Sequence, residues 1–302
     1  MLNPQKLRVA VELTSACNLS CAMCPLRTMK RPLEAMPFER LWKVHKELRE
    51  LGLQVRWLHE MGEPLLYPHL QEALRMFPEA ILSTNGMALR GAVAETVLES
   101  GVWTVRICID TLNPEVYPRL RAGGDFVRVV KNTKAFLEAA RHKAMKIQIQ
   151  KMVSKLTRDE ARGDFVRFFH LDEYPHARVI EKTCEALDTS GETDLHGKYA
   201  GCFQGGPFNW LVILADGPVT HCCYDYEGVQ AIGHVDKTPL KEILNSPKLV
   251  EIQAAFARHD FSGLPRCCEC FRLEGEVKTW PPFLYRWMRV LPFKDKLRKW
   301  FL

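Results

Sequence analysis

The spacing of apolar positions changes repeatedly along the chain, and each change marks an element. Leu7 to Leu13 is a strand-like run. Pro37-Phe38-Glu39 opens a helix in which Leu41, Val44, Leu48 and Leu51 recur at three- and four-residue steps, and Gly52 ends it. Val55 to Leu58 predicts a second strand, followed by the turn Met61-Gly62-Glu63-Pro64. Ala80 to Leu82 is a third strand that stops at Ser83-Thr84-Asn85-Gly86, with a helix over Val93 to Glu99. Trp103 to Ile109 is a fourth, ending at Asp110. A longer helix then carries Phe126, Val129, Val130, Thr133, Phe136, Leu137 and Ala140 on one side. Met145 to Val153, a helix over Arg158 to Phe169, and a strand at Arg178-Val179-Ile180 complete the series.

Strand–helix alternation repeated about six times predicts an α/β fold, a parallel sheet closed or partly closed as a barrel. In such barrels the active site occupies the loops after the C-terminal ends of the strands. The loop after strand one, Met61–Pro64, Ser83–Gly86 and Asp110 all take that position.

From about Thr183 the texture changes. Residues 183–209 are rich in Gly, Asp, Glu and Thr, as in a linker or irregular loop. Trp210–Leu214, Asp216-Gly217 and Val219–Cys222 read as a hairpin, Asp-Gly being a strong turn signal. Thr238-Pro239 and Ser246-Pro247 each start a short helix. The expected organisation is a barrel over 1–182, a smaller unit over 183–275 and a tail over 276–302.

Composition narrows this picture. With 302 residues, 47% hydrophobic and 26% charged, the chain suits one large soluble domain with an appendage. Eleven cysteines, and no signal-peptide pattern before Leu7, argue against disulfide scaffolding and for a reducing cytoplasm. The formal charge of +6 is local: Arg286, Arg289, Lys294, Lys296, Arg298 and Lys299 stand against Asp295. The body is close to neutral, so no nucleic-acid groove is expected.

The chemistry begins at Cys17, Cys21 and Cys24, three thiols within eight residues. Thiolate favours zinc, copper(I) or iron–sulfur clusters. Three local thiolates fall one short of a closed tetrahedral zinc site, and the next cysteine, Cys108, lies inside an apolar run. A 4Fe–4S cluster held by three of its irons leaves the fourth open to a ligand.

Cys-x3-Cys-x2-Cys after a first strand resembles the signature of the radical S-adenosylmethionine (SAM) enzymes, whose barrel has six strands and is incomplete. The resemblance implies that the open iron chelates the amino and carboxylate groups of SAM. It also implies roles for other residues. Met61-Gly62-Glu63-Pro64 resembles the family's Gly-Gly-Glu-Pro turn, with Glu63 meeting the ammonium of SAM and Met61 replacing the first glycine. Thr84, Asn85 and Asp110 would make polar contacts to SAM carboxylate or ribose, and Met23 would pack near adenine, where the family often has an aromatic residue.

A second group comprises Cys202, Cys222, Cys223, Cys267, Cys268 and Cys270. Cys202, Cys222, Cys267 and Cys270 can close a four-thiolate site, for zinc or a second 4Fe–4S cluster, with Cys223 and Cys268 as rival ligands. The layout resembles the family's "twitch" extension, the shortened SPASM domain that holds one auxiliary 4Fe–4S cluster. Arg178 and Glu181, at the end of the sixth strand, are expected near the substrate, and Cys184 is a candidate hydrogen-atom donor.

Three functions remain open at this stage. The first is a radical SAM enzyme that removes hydrogen from a small polar molecule such as a sugar or cyclitol, lipid-linked or free. Its auxiliary cluster would accept an electron, and a flavodoxin or ferredoxin would supply reductant. The second is a peptide-modifying enzyme, disfavoured because strand one begins at about Leu7 and leaves no room for a leader-recognition domain. The third is a non-enzymatic iron–sulfur or zinc module. The cationic, aromatic stretch 280–302, with Trp287, Trp300 and Phe301, fits either a helix docked on the barrel or a segment lying at the inner face of a membrane.

Overall fold

In the computed structural model, residues 7–183, 202, 206–258, 260–268 and 270 are described. Strand β1 (Arg8–Val11) leads through the cysteine loop to helix α1 (Phe38–Glu50), which buries Leu41, Val44 and Leu48 as its spacing requires. Then follow β2 (Val55–Trp57), a 3-10 turn at Pro64–Leu66, α2 (Leu70–Met76), β3 (Ile81–Thr84) and α3 (Gly91–Glu99). Next come β4 (Thr104–Asp110), the short α4 (Tyr117–Leu120), α5 (Phe126–Ala139), β5 (Lys146–Val153), α6 (Arg162–Phe169) and β6 (Ala177–Thr183). β1 to β6 pair in sequence order, every neighbour parallel, as a partial barrel requires.

Period-two alternation sorts the strands' side chains. Val105, Ile107 and Ile109 of β4, with Ile147 and Ile149 of β5 and Val179 of β6, enter the core shared with the helices. Arg106 and Cys108, with Gln148 and Gln150, take the other, inner face. Near its start the inner face is closed by Trp57 stacked on Trp210 with ring centroids 5.0 Å apart.

The C-terminal unit joins the same sheet. After α7 (Gly206–Asn209), β7 (Trp210–Ile213) runs parallel to β1, from Arg8 opposite Trp210 to Val11 opposite Ile213. β8 (Pro218–Thr220) and β9 (Gly233–His234) add antiparallel strands, giving nine in all among the described residues. Gly217 makes the β7–β8 turn at φ +107°, and a Cβ there would stand 2.4 Å from the His234 ring. Helices α8 (Leu240–Ile243), α9 (Pro247–Arg258) and α10 (Pro265–Cys268) follow.

Several boundaries differ from those expected. α6 begins at Arg162, not Arg158, because Ser154 and Thr157 build a turn in which the Thr157 hydroxyl donates to Met152 O at 2.7 Å. β6 is longer than the sequence indicated because it pairs with β5 from Ala177 to Thr183. No helix among the described residues is long and apolar enough to cross a membrane. Cys184 and the tail 276–302 lie outside the described residues.

Candidate active site

Above β1 the cysteine loop is held from a distance. Ser20 N–H donates to Ala122 O at 2.8 Å and Ala22 N–H to Leu120 O at 2.9 Å, so the turn after α4 fixes the loop that carries Cys21. Cys17, Cys21 and Cys24 then line one cavity of about 400 Å³ together with Met23, Gly62, Glu63, Thr84 and Asn85. Burial pushes the Cys17 thiol up to about 11 and raises Cys21 and Cys24 as well, Arg121 opposing the shift at the last two. Such thiols stay protonated near neutral pH until a metal displaces the proton. Donors already point at two of the sulfurs. Leu19 N–H reaches Cys17 Sγ at 3.4 Å, and an Arg121 Nη reaches Cys21 Sγ at 3.7 Å.

Gly62 cannot be another residue without rearrangement. Its φ is +75°, and a Cβ would lie 2.2 Å from Thr14 O. This close approach lays the turn against the loop after β1, where Glu63 N–H donates to Ala16 O at 2.9 Å. The Glu63 carboxylate accepts from Asn85 N–H at 2.7 Å and Leu65 N–H at 3.1 Å. Burial raises its pKa against these bonds, so it suits a cationic partner. Asn85 donates to Asn18 Oδ1 at 2.8 Å, tying the third rim loop to the first. Met61, in place of a glycine, gives its N–H to Glu12 Oε1 at 3.0 Å and turns its side chain to the cavity.

Asp110 is buried behind the wall and does not line the cavity. One oxygen accepts from Arg121 Nε at 2.7 Å and the other from Gln150 Nε2 at 3.0 Å. Burial disfavours the Arg121 charge, but Asp110, Cys108 and Cys21 raise its pKa well above the ordinary value. Asp110 thus aims Arg121 at the cysteine loop, and Arg121 and Gln150 face the cavity in its stead.

The sixth strand corrects an expectation. Glu181 faces away from the cavity and pairs with Lys151 at 3.6 Å, on the helix side of the sheet. The alternation of β6 puts Lys182 at the cavity instead, and Arg178 on the same face nearer the strand's start. His59 and Glu60, directly before the Met61–Pro64 turn, also line the cavity, and neither was singled out from sequence. Burial lowers His59 to about 3, with Lys182 and Arg106 adding to it, so the ring is neutral. Glu60 is pushed well above the usual carboxylate range, first by burial and then by Glu12. The only forward signal was their place next to a rim turn.

Glu12 is a further residue that sequence reasoning passed over, since it reads as one more strand position. Fully buried, it accepts twice from an Arg31 Nη at 2.8 Å, from Met61 N–H, and from Ala215 N–H at 2.8 Å. Arg31 also donates to Asp216 at 2.6 Å and to Tyr226 O at 2.8 Å. Glu227 accepts from Lys30 and Arg31 N–H. One buried network therefore binds the cysteine loop, the second rim turn and the C-terminal hairpin.

The C-terminal thiols divide. Cys267 is pushed up to about 12 by burial, with Cys222, Cys270 and Cys202 all near enough to add to the shift, so the four expected ligands share one neighbourhood. Gln230 Nε2 approaches Cys267 Sγ at 3.4 Å. Cys268 donates to Phe261 O at 2.6 Å, away from that group. Cys223 packs by the inner-face residues Ala10, Val212 and Leu214, yet stays in hydrogen-bond contact with Cys222, which lowers the Cys222 pKa. Tyr224, on the same loop, reaches the cavity under the three-cysteine rim.

Comparison with known proteins accords with this geometry. The family model of the radical SAM superfamily matches residues 11–149, and that of an iron–sulfur cluster-binding domain, SPASM, matches 202–271. A GTP 3′,8-cyclase of Petrotoga mobilis is 30% identical over 180 residues, 57% of this chain and 54% of the relative. An AdoMet-dependent heme synthase of Methanosarcina barkeri is 30% identical over 171 residues, 55% and 47%. The chain spans about half the length of the curated relatives it matches. Among solved structures, BtrN in complex with AdoMet and 2-DOIA shares the fold at TM-score 0.58 and 18% identity, covering 90% of this chain and 95% of that one. Streptococcus suis SuiB bound to S-adenosylmethionine does so at 0.57 and 17%, covering 82% and 68%. These domains imply 4Fe–4S clusters and SAM as cofactors. Three buried or half-buried thiols on one cavity, donors aimed at two of their sulfurs and a rim turn that admits no Cβ fit such a cluster and its ligand. The chain belongs to the radical SAM superfamily and carries a SPASM-type iron–sulfur domain after its barrel.

Proposed function

We propose that this protein oxidises a small polar molecule held inside the barrel. When bound, the first cluster and SAM supply a hydrogen-abstracting 5′-deoxyadenosyl radical, and the second cluster supplies an acceptor for one electron from the substrate. The reading is carried by Cys17, Cys21 and Cys24 opening on the cavity that also holds Glu63 and Asn85.

Each residue has a part in this reading. Cys17, Cys21 and Cys24 ligate the first cluster, and Arg121 offsets the negative charge gathered there. Glu63 receives the ammonium of SAM, the Thr84–Asn85 loop presents polar groups to its methionine end, and Met23 covers its base. Cys202, Cys222, Cys267 and Cys270 ligate the second cluster. Tyr224 and Met61 narrow the cavity and exclude water, which protects reactive intermediates. Glu60, on the cavity wall, takes the proton lost from a substrate hydroxyl as its carbon is oxidised. A flavodoxin- or ferredoxin-type protein donates the electron that starts each turnover.

The relatives named for GTP cyclisation, and a fold neighbour crystallised with AdoMet and 2-DOIA, lend this reading support. The test is anaerobic incubation of the iron-loaded protein with dithionite and SAM. The expected product is 5′-deoxyadenosine, and Glu63→Gln should weaken SAM binding by about 10- to 100-fold at unchanged iron content. A fully loaded protein that leaves SAM intact would refute the proposal.

A further inference from the structure

The inner face of the sheet carries more cations than acids to match them. Strand pairing sets Ser83, Arg106, Gln148 and Arg178 in one row across β3, β4, β5 and β6. Paired positions share a face, so Arg106 and Arg178 flank Gln148. Arg106 is only 9% exposed, and its Nε and one Nη donate to the neutral Gln148 amide oxygen at 3.1 and 3.0 Å. Lys182 lines the cavity from β6. Arg56 comes from the irregular pairing of β1 with β2, its guanidinium 6.0 Å from the Trp57 ring centre.

These groups feel one another. Burial lowers the pKa of Arg106, and Arg56 and Arg178 lower it further. Partial desolvation and the field of Arg106 do the same to Lys182, although Lys182, Arg178 and Arg56 each keep an exposed face, and only Arg106 is buried. Among the described residues, no ion pair joins Arg56, Arg106, Arg178 or Lys182 to a carboxylate. Of the acids on this face, Glu12 is held by Arg31 and Asp110 by Arg121, which leaves Glu60 facing Lys182 across the cavity, while Arg106 and Arg178 lie below the residues that line it. Like charges gathered without partners cost stability, and such an arrangement persists where a ligand completes it.

We propose that Arg106 and Arg178, with Lys182 at the cavity edge, form the anchoring subsite for a phosphoryl group of the substrate. The substrate is then a phosphorylated small molecule whose reacting carbon stands beneath the three-cysteine rim. A carboxylate, with one charge, would leave most of the cluster uncompensated, whereas a phosphoryl group brings about −2. Guanidinium forks match its oxygens in pairs. The inference rests on the reading of the cavity as the substrate site and narrows its substrate class.

Calorimetric titration of the iron-loaded protein with pyrophosphate, inorganic phosphate and acetate tests it. Pyrophosphate is expected to bind at least about tenfold more tightly than acetate and to weaken steeply with added salt. Arg178→Gln and Lys182→Gln should each weaken pyrophosphate about tenfold and raise the ligand-free Tm by about 1–2 °C. Arg158→Gln, on the exposed surface, should change neither. The subsite is overturned if pyrophosphate binds no better than acetate, or if both inner-face variants bind it as the wild type does. Formation of 5′-deoxyadenosine by the wild-type protein, measured alongside, reports on the radical SAM chemistry separately, so either can fail while the other stands.

Discussion

The two thiol groups of this protein are assembled by opposite means. Cys17, Cys21 and Cys24 come from one eight-residue loop, positioned by two backbone hydrogen bonds from the turn after α4. Cys202, Cys222 and the Cys267–Cys270 pair come from three separate stretches of the C-terminal unit, which joins the sheet beside β1. The first set is local and one ligand short, as a site that must keep a position open requires. The second is long-range and offers four thiols, which under the proposed function suits a cluster that exchanges electrons without binding substrate. Chemistry and its support are thus separated, and the Glu12–Arg31 network is what joins them.

The comparison breaks most visibly at the thiols. Cys21→Ala should abolish 5′-deoxyadenosine formation, by about 1000-fold or more, and remove about four of eight irons. Cys270→Ala should remove a like amount of iron yet keep reductive SAM cleavage within about threefold. Iron analysis with chromatographic product assay reads both. Equal losses in the two variants would erase the division of labour.

The joint between the regions comes next. Arg31→Met leaves the Glu12 carboxylate buried without its cation, and should cost about 3–5 kcal/mol in urea unfolding. Because the network spans both regions, the loss should appear in a single transition, not in that of the hairpin alone. Gly62→Ala is smaller in stability, about 1–3 kcal/mol from its left-handed backbone and its clash with Thr14 O. Its SAM affinity, by equilibrium dialysis, should fall at least about tenfold. Cys268→Ala should do least: both clusters retained, and about 1 kcal/mol lost with the hydrogen bond to Phe261.

Much of this was legible because it is local. The spacing of Leu41, Val44 and Leu48 fixed one face of α1, Asp216-Gly217 marked the hairpin turn, and the three-cysteine spacing named its own chemistry. What escaped depends on phase or on distance. Arg178-Val179-Ile180 identifies a strand, but three residues do not say which parity faces inward, and Lys182, not Glu181, stands at the cavity. Glu12 looked like any polar residue in an exposed alternation, since its partners lie 19 and 203 residues away. Asp110 carried the right position for a ligand contact, yet the structure gives both its oxygens to Arg121 and Gln150. Sequence marks the rim; only folding decides which groups look into it.

The central claim is that three thiols leave one metal position open beneath Glu63 and Asn85. Electron paramagnetic resonance of the reduced Cys270→Ala protein, which isolates the first cluster, addresses it directly. The account predicts a 4Fe–4S signal that shifts when SAM is added, and that fails to shift in Glu63→Gln until SAM is raised about 10- to 100-fold. A signal that ignores SAM at saturating concentration would contradict it.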